Sequence, residues 1–218
     1  MNQLIFKFPF KTKYFEQDFY VSSNNFLVYK LIEEWPNWPN KWLNIYGVSG
    51  SGKTHLSKIL EKKIGKATII NAEDINNSTI NSLEEFECII IDNFKNNVDQ
   101  KILYSLLNQS KQLEKFVLVN SEMPLKQMKF KIADLKSRIE SFLFMGIELP
   151  TDDLLQVIIT KLFSDKQVKL DPKISSYIIK NVERSYDKMF KFLKDVDELS
   201  LSSGKSININ LIKKVLKK

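Results

Sequence analysis

Gly47 to Thr54 read Gly-Val-Ser-Gly-Ser-Gly-Lys-Thr, a complete G-x-x-x-x-G-K-[ST] phosphate-binding loop. Glycines at 47, 50 and 52 let backbone amides close on an anion with no Cβ in the way. In such a loop Val48, Ser49, Ser51 and the three glycines supply the amides. Lys53 reaches the β and γ phosphates, and the Thr54 hydroxyl is offered to Mg²⁺. The chemistry is that of holding a nucleoside diphosphate or triphosphate; a turn without a ligand is the bland alternative. His55, the one histidine of the chain, follows directly. Its place puts it beside the phosphates, although packing or a helix surface is the plainer role.

A phosphate loop needs a carboxylate on a neighbouring strand to hold Mg²⁺ through water, and Asp92, closing the run Ile89-Ile90-Ile91, is the candidate. The next residue is Asn93, which can orient water but cannot take its proton, so intrinsic hydrolysis is expected to be slow. Asn120 and Ser121, at the end of another apolar run, are candidates to sense the γ-phosphate. No cluster of metal-ligating residues stands out beyond the carboxylate and hydroxyl expected for Mg²⁺.

These residues must be carried by strands and helices in the right order. Residues 42–46 read as the strand feeding the loop, and Leu56, Ile59, Leu60 and Ile64 recur at helical spacing after it. Further strands are expected at 67–71, 87–92, 115–120 and 142–149, with helices at 97–113 and 132–140. Strands this apolar are buried on both faces, which implies an α/β fold with a mostly parallel sheet. Pro150-Thr151-Asp152-Asp153 reads as a break and a helix cap. Four helical stretches follow, at 154–163, 172–182, 186–201 and 208–216, so an α/β core over 11–149 is followed by a helical domain over 150–218.

With 43% hydrophobic residues and no apolar run near 18 residues, a membrane span is not expected. The opening residues Met1-Asn2-Gln3 lack the basic stretch of a signal peptide. The single cysteine, Cys88, permits no internal disulfide, and a cytoplasmic protein is expected. Net charge is +7, but the lysines are scattered, as on a solvated face. Of 33 basic residues only Arg138 and Arg184 are arginine, which asks whether those two sites need a planar, bidentate, permanently charged fork.

The GKTHL loop, the IIIDN strand, the VNSEMP strand end and the IADLKSRIES segment, followed by a helical lid, together resemble the Hda/DnaA family of AAA+ proteins. The similarity covers nearly the whole chain and lies nearer the short, Hda-like regulators that switch off the replication initiator DnaA. It implies an AAA+ core with a lid, bound ADP or ATP with Mg²⁺, and no helix-turn-helix DNA-binding domain after Lys218.

Within that resemblance, residues 1–10 form a peptide in which Gln3, Leu4, Phe6 and Phe8 are similar to a sliding-clamp-binding motif. Gln3 would be held by polar contacts and the apolar side chains would fill pockets; a first strand packing its own aromatics is the alternative. Arg138, in DLKSR, matches the arginine-finger segment, which reaches into ATP held by a neighbour. The alternative is a surface salt bridge. Where the family's lid contributes an arginine to the nucleotide, this chain has Asp187, and Arg184 or Lys188 is left to stand in. Phe15, Phe19, Tyr20 and Val21 resemble the segment that packs on adenine, though they also suit a core. The expected partners are DnaA and the clamp, with DNA reached through the clamp and self-association open. An autonomous AAA+ ATPase or helicase-loader-like protein is the alternative function.

Overall fold

The computed structural model describes residues 19–165 and 167–217, with Asp187 described by its backbone alone. Two compact units are present, an α/β unit of residues 19–48 and Gly52–Glu148 and a helical unit from Leu149 onward that takes in Ser49–Ser51.

Five strands form the α/β unit's sheet: β1 (Trp42–Tyr46), β2 (Ala67–Asn71), β3 (Cys88–Phe94), β4 (Phe116–Ser121) and β5 (Leu143–Gly146). Their order is β2-β3-β4-β1-β5, and every pairing is parallel. Alternation along the strands divides the core in two. Ile89, Ile91, Val117 and Val119 pack on one face, and Cys88, Ile90, Leu118, Leu43 and Ile45 pack on the other. Both faces are therefore dry, which is why these strands read as unbroken apolar runs.

Helices α1 (Phe26–Glu33), α2 (Lys53–Ile64), α3 (Asn77–Asn81), α4 (Gln100–Gln112) and α5 (Ala133–Glu140) complete the unit. The Asp99 side chain accepts from the amides of Lys101 and Ile102, so α4 begins three residues later than the apolar periodicity suggested. A larger departure occurs in β3. Asp92 does not close that strand; pairing with β4 shifts register between Ile91 and Phe94, and Asn93 sits at φ 55° before Phe94 rejoins the sheet. An asparagine tolerates this left-handed conformation better than most residues.

The helical unit holds α6 (Asp152–Ser164), α7 (Pro172–Asn181), α8 (Tyr186–Ser203) and α9 (Ile209–Leu216). Local sequence sets each start. Thr151 caps α6, Asp171 caps α7 with Pro172 in its first turn, Ser185 caps α8 and Asn208 caps α9. Gly204, at φ 63°, ends α8 in the left-handed conformation. Leu155, Ile159, Phe163, Ile178, Met189, Val196 and Ile212 form its core. Among the described residues, no helix is long and apolar enough to cross a membrane.

Candidate nucleotide site

The phosphate loop leaves the C-terminal end of β1, where the Gly47 amide donates to the Ser121 carbonyl of β4 at 3.1 Å. Gly50 and Gly52 have φ of 71° and 98°, values that only glycine adopts at little cost. At Gly52 space is also closed: a Cβ would stand 3.2 Å from the Phe19 ring. Gly52 is the cap of α2, and as a glycine it offers no side chain to that helix's first amides. A helix N-terminus behind a glycine loop suits a phosphate group.

Lys53 Nζ donates to the carbonyls of Gly47 and Val48 at 2.6 and 2.9 Å, so its ammonium lies along the loop. Thr54 Oγ1 donates to Asp92 Oδ2 at 2.8 Å. Asp92 is only 6% exposed, and its other oxygen accepts from Asn120 Nδ2 at 2.9 Å. Among the described residues no lysine or arginine pairs with this carboxylate. Asn120 also donates to Ser57 Oγ at 2.7 Å, and its Oδ1 is buried with no partner among the described residues. A buried acceptor wanting a donor, beside a carboxylate and a hydroxyl, suits the water shell of a hard cation. The expected loop and the expected carboxylate thus meet in one cluster, with Lys53, Thr54 and Asp92 the residues suited to a magnesium-bound polyphosphate.

Other expected residues fall in different surroundings. His55 meets Phe19 edge-on, with centroids 5.3 Å apart, and Phe19 stacks on Tyr29 at 5.7 Å. Phe19 therefore lies at the α2 end of the loop, joined to the core of that sheet face. Ser121 is tied to the scaffold: its hydroxyl donates to the Met123 carbonyl and accepts from Asn44 Nδ2 at 2.9 Å. Arg138, half-buried in the last turn of α5, donates from Nη2 to Asn108 Oδ1 on α4 at 2.9 Å. No carboxylate pairs with it among the described residues, so the surface salt bridge weighed for it is not formed there. Arg184 pairs with Asp152 at 2.9 Å, both more than half exposed. Lys188 lies 3.9 Å from Glu183. Gln3, Leu4, Phe6, Phe8 and Phe15 lie outside the described residues, as does the Asp187 side chain.

Two residues of the cluster are not apparent from motif reading. Ser57 is three residues after Thr54 on α2 and so shares its face, a spacing that could have identified it. Asn44 is a polar residue in the middle of an apolar strand and is fully buried. Its side chain donates to the Val119 carbonyl and accepts from the Leu125 amide, at 2.8 and 3.0 Å. It thereby holds the strand end that presents Asn120. The burial that surrounds Cys88 pushes its thiol pKa up to about 12, which makes it a packing residue.

Comparison with known proteins gives the same architecture. Residues 152–216 match the family described as "Hda, lid domain". The chain is 27% identical over 216 residues to the chromosomal replication initiator protein DnaA of Buchnera aphidicola subsp. Cinara cedri, covering 87% of this chain and 48% of that protein. It is 22% identical over 212 residues to an uncharacterized protein of Haemophilus influenzae, covering 92% of each. The chain thus spans about half the length of the DnaA relative. Domain III of the Thermotoga maritima replication initiation protein DnaA superposes with a TM-score of 0.77 at 17% identity, covering 96% of this chain and 98% of that one. AMPPCP-bound DnaA from Aquifex aeolicus gives a TM-score of 0.73 at 22% identity, covering 89% and 68%. The Thermotoga maritima RuvB motor gives 0.64 at 19% identity, covering 81% and 61%, so the fold is that of an AAA+ core.

Proposed function

From a chain that belongs to the Hda/DnaA family of AAA+ proteins, we propose a regulator of replication initiation that binds an adenine nucleotide and promotes hydrolysis of ATP held by DnaA. The observation that carries this reading is the state of Arg138. One of only two arginines, it is half-buried and held by a neutral amide. Its charge is left for a partner's phosphates, and lysine could not reproduce its fork.

The chain's own site has a retaining role in this reading. Lys53 and the loop amides hold the phosphates of ADP or ATP, and Thr54 and Asp92 hold Mg²⁺ through water. The AMPPCP bound in the DnaA neighbours supports the adenine nucleotide proposed here. Mg²⁺, when bound, supplies charge neutralisation between phosphate oxygens. Asn93, after the carboxylate, offers no base to an attacking water, so turnover at this site is slow.

In the cytoplasm, residues Gln3, Leu4, Phe6 and Phe8 dock on the sliding clamp, which brings Arg138 to DnaA on DNA. The domain plan is the clamp peptide at 1–10, the nucleotide core at 11–149 and the lid at 150–218, with Arg184 the lid's candidate for the nucleotide phosphates. Single-turnover loss of ATP from cognate DnaA, with and without this protein, is the test. Acceleration that vanishes in Arg138→Ala supports the reading, and acceleration untouched by that substitution overturns the finger.

A further inference from the structure

Arg138 needs a fixed direction to act across an interface, and a free guanidinium on a helix end samples many rotamers. Its one described side-chain partner is Asn108, on the neighbouring helix, at 2.9 Å. Both helices are anchored in the same core, α4 by Leu103, Leu106 and Leu107 and α5 by Leu135 and Ile139. A second link joins the two segments where the Lys131 amide donates to Gln100 Oε1 at 2.7 Å. Asn108 and Arg138 are therefore carried on one rigid platform, both half-buried.

We infer that Asn108 is the positioning residue for Arg138, an uncharged acceptor that aims the guanidinium without neutralising it. A guanidinium has five N–H donors, and one bond to Asn108 leaves four for an anion. An aspartate at this position would make a charge-assisted pair with Arg138 and compete with the phosphates for it. The chosen side chain is thus the amide of nearly the same shape, which orients and does not compete. This inference rests on the trans role proposed for Arg138.

The test is the single-turnover rate of ATP loss from DnaA on clamp-loaded DNA, titrated with wild type, Asn108→Ala, Asn108→Asp, Arg138→Ala and the double variant Asn108→Ala/Arg138→Ala. Misaiming a catalytic group costs about 10- to 100-fold. Asn108→Ala should lose about that much of the maximal rate, while its half-saturating concentration and thermal midpoint stay near wild type. Asn108→Asp should lose at least as much. In the Arg138→Ala background Asn108→Ala should change nothing further, since its only effect passes through Arg138. If Arg138→Ala abolishes acceleration and Asn108→Ala and Asn108→Asp do not lower it, the positioning role is overturned and the finger stands. If Arg138→Ala leaves acceleration intact, both fall together.

Discussion

Thr54 Oγ1 and Asp92 Oδ2 are 2.8 Å apart, one at the start of α2 and the other on β3, two strands away from β1 in the sheet. The contact joins the loop that would grip phosphate to the carboxylate that would hold its cation. Asp92→Asn keeps the shape and removes the charge. Nucleotide affinity measured by calorimetry in EDTA should hardly change, while the gain on adding Mg²⁺ should disappear. An undiminished Mg²⁺ response in the variant would show that Asp92 does not hold the cation.

Lys53→Ala should remove charge-assisted bonds to phosphate worth about 1.5–3 kcal/mol, or roughly 10- to 150-fold in affinity. Equal nucleotide affinity in wild type and variant would refute the assignment of the loop.

Gly52→Ala meets two obstacles at once, φ of 98° and a Phe19 ring carbon 3.2 Å from the new methyl. Left-handed backbone costs an L-residue about 1–2 kcal/mol before any contact is counted. Urea denaturation should show a loss of at least that size, together with weaker nucleotide binding. The double variant Gly52→Ala/Phe19→Ala should relieve the contact and leave the backbone penalty, so a loss of binding should persist.

Asn44→Ala should destabilise the α/β unit by about 1–3 kcal/mol, because the Leu125 amide and the Ser121 hydroxyl lose a buried partner. Guanidinium unfolding monitored by circular dichroism would read this. A change below a few tenths of a kcal/mol would mean that water replaces the amide there.

Cys88 provides a check on the core itself. With its pKa pushed up to about 12 by burial, the thiol keeps its proton at pH 8, and the thiolate is the species that reacts. Folded protein should resist alkylation by iodoacetamide at that pH, and denatured protein should react in full. Rapid labelling of the folded chain would contradict the buried placement of β3.

Much of this arrangement is legible in the sequence because its signals are local. Ala67–Asn71 forms a strand with the bounds its apolar run suggests, and Thr151, Asp171 and Gly204 set helix ends through their own side chains or backbone. Helix α1 escaped the reading. Phe26, Leu27, Val28, Tyr29, Leu31 and Ile32 surround it with apolar residues, the side chain of its cap Asn25 bonds to Ser22 and Tyr20 rather than to the helix's amides, and Phe26 and Leu27 are exposed, so no clean stripe marks one face. The bend after Asp92 was hidden for another reason: a left-handed Asn93 is set by pairing with β4, far along the chain. Within the site, Lys53, Thr54 and Asp92 carried motif signals and Ser57 shares the helix face of Thr54, whereas Asn44 in the site and Asn108 beside Arg138 bond to partners on other elements. Their roles appear only when strands and helices are brought together.

The account's central claim is that Arg138 acts on ATP held by another molecule. The measurement that tests it most directly compares wild type with Arg138→Lys for the rate at which labelled ATP on DnaA becomes ADP, on DNA carrying the clamp. Lysine keeps the charge and loses the fork, so the account predicts fast conversion with wild type and a rate near that of DnaA alone with the variant, at unchanged clamp association. Conversion at the same rate with both proteins, or no acceleration by wild type bound to the clamp, would contradict it.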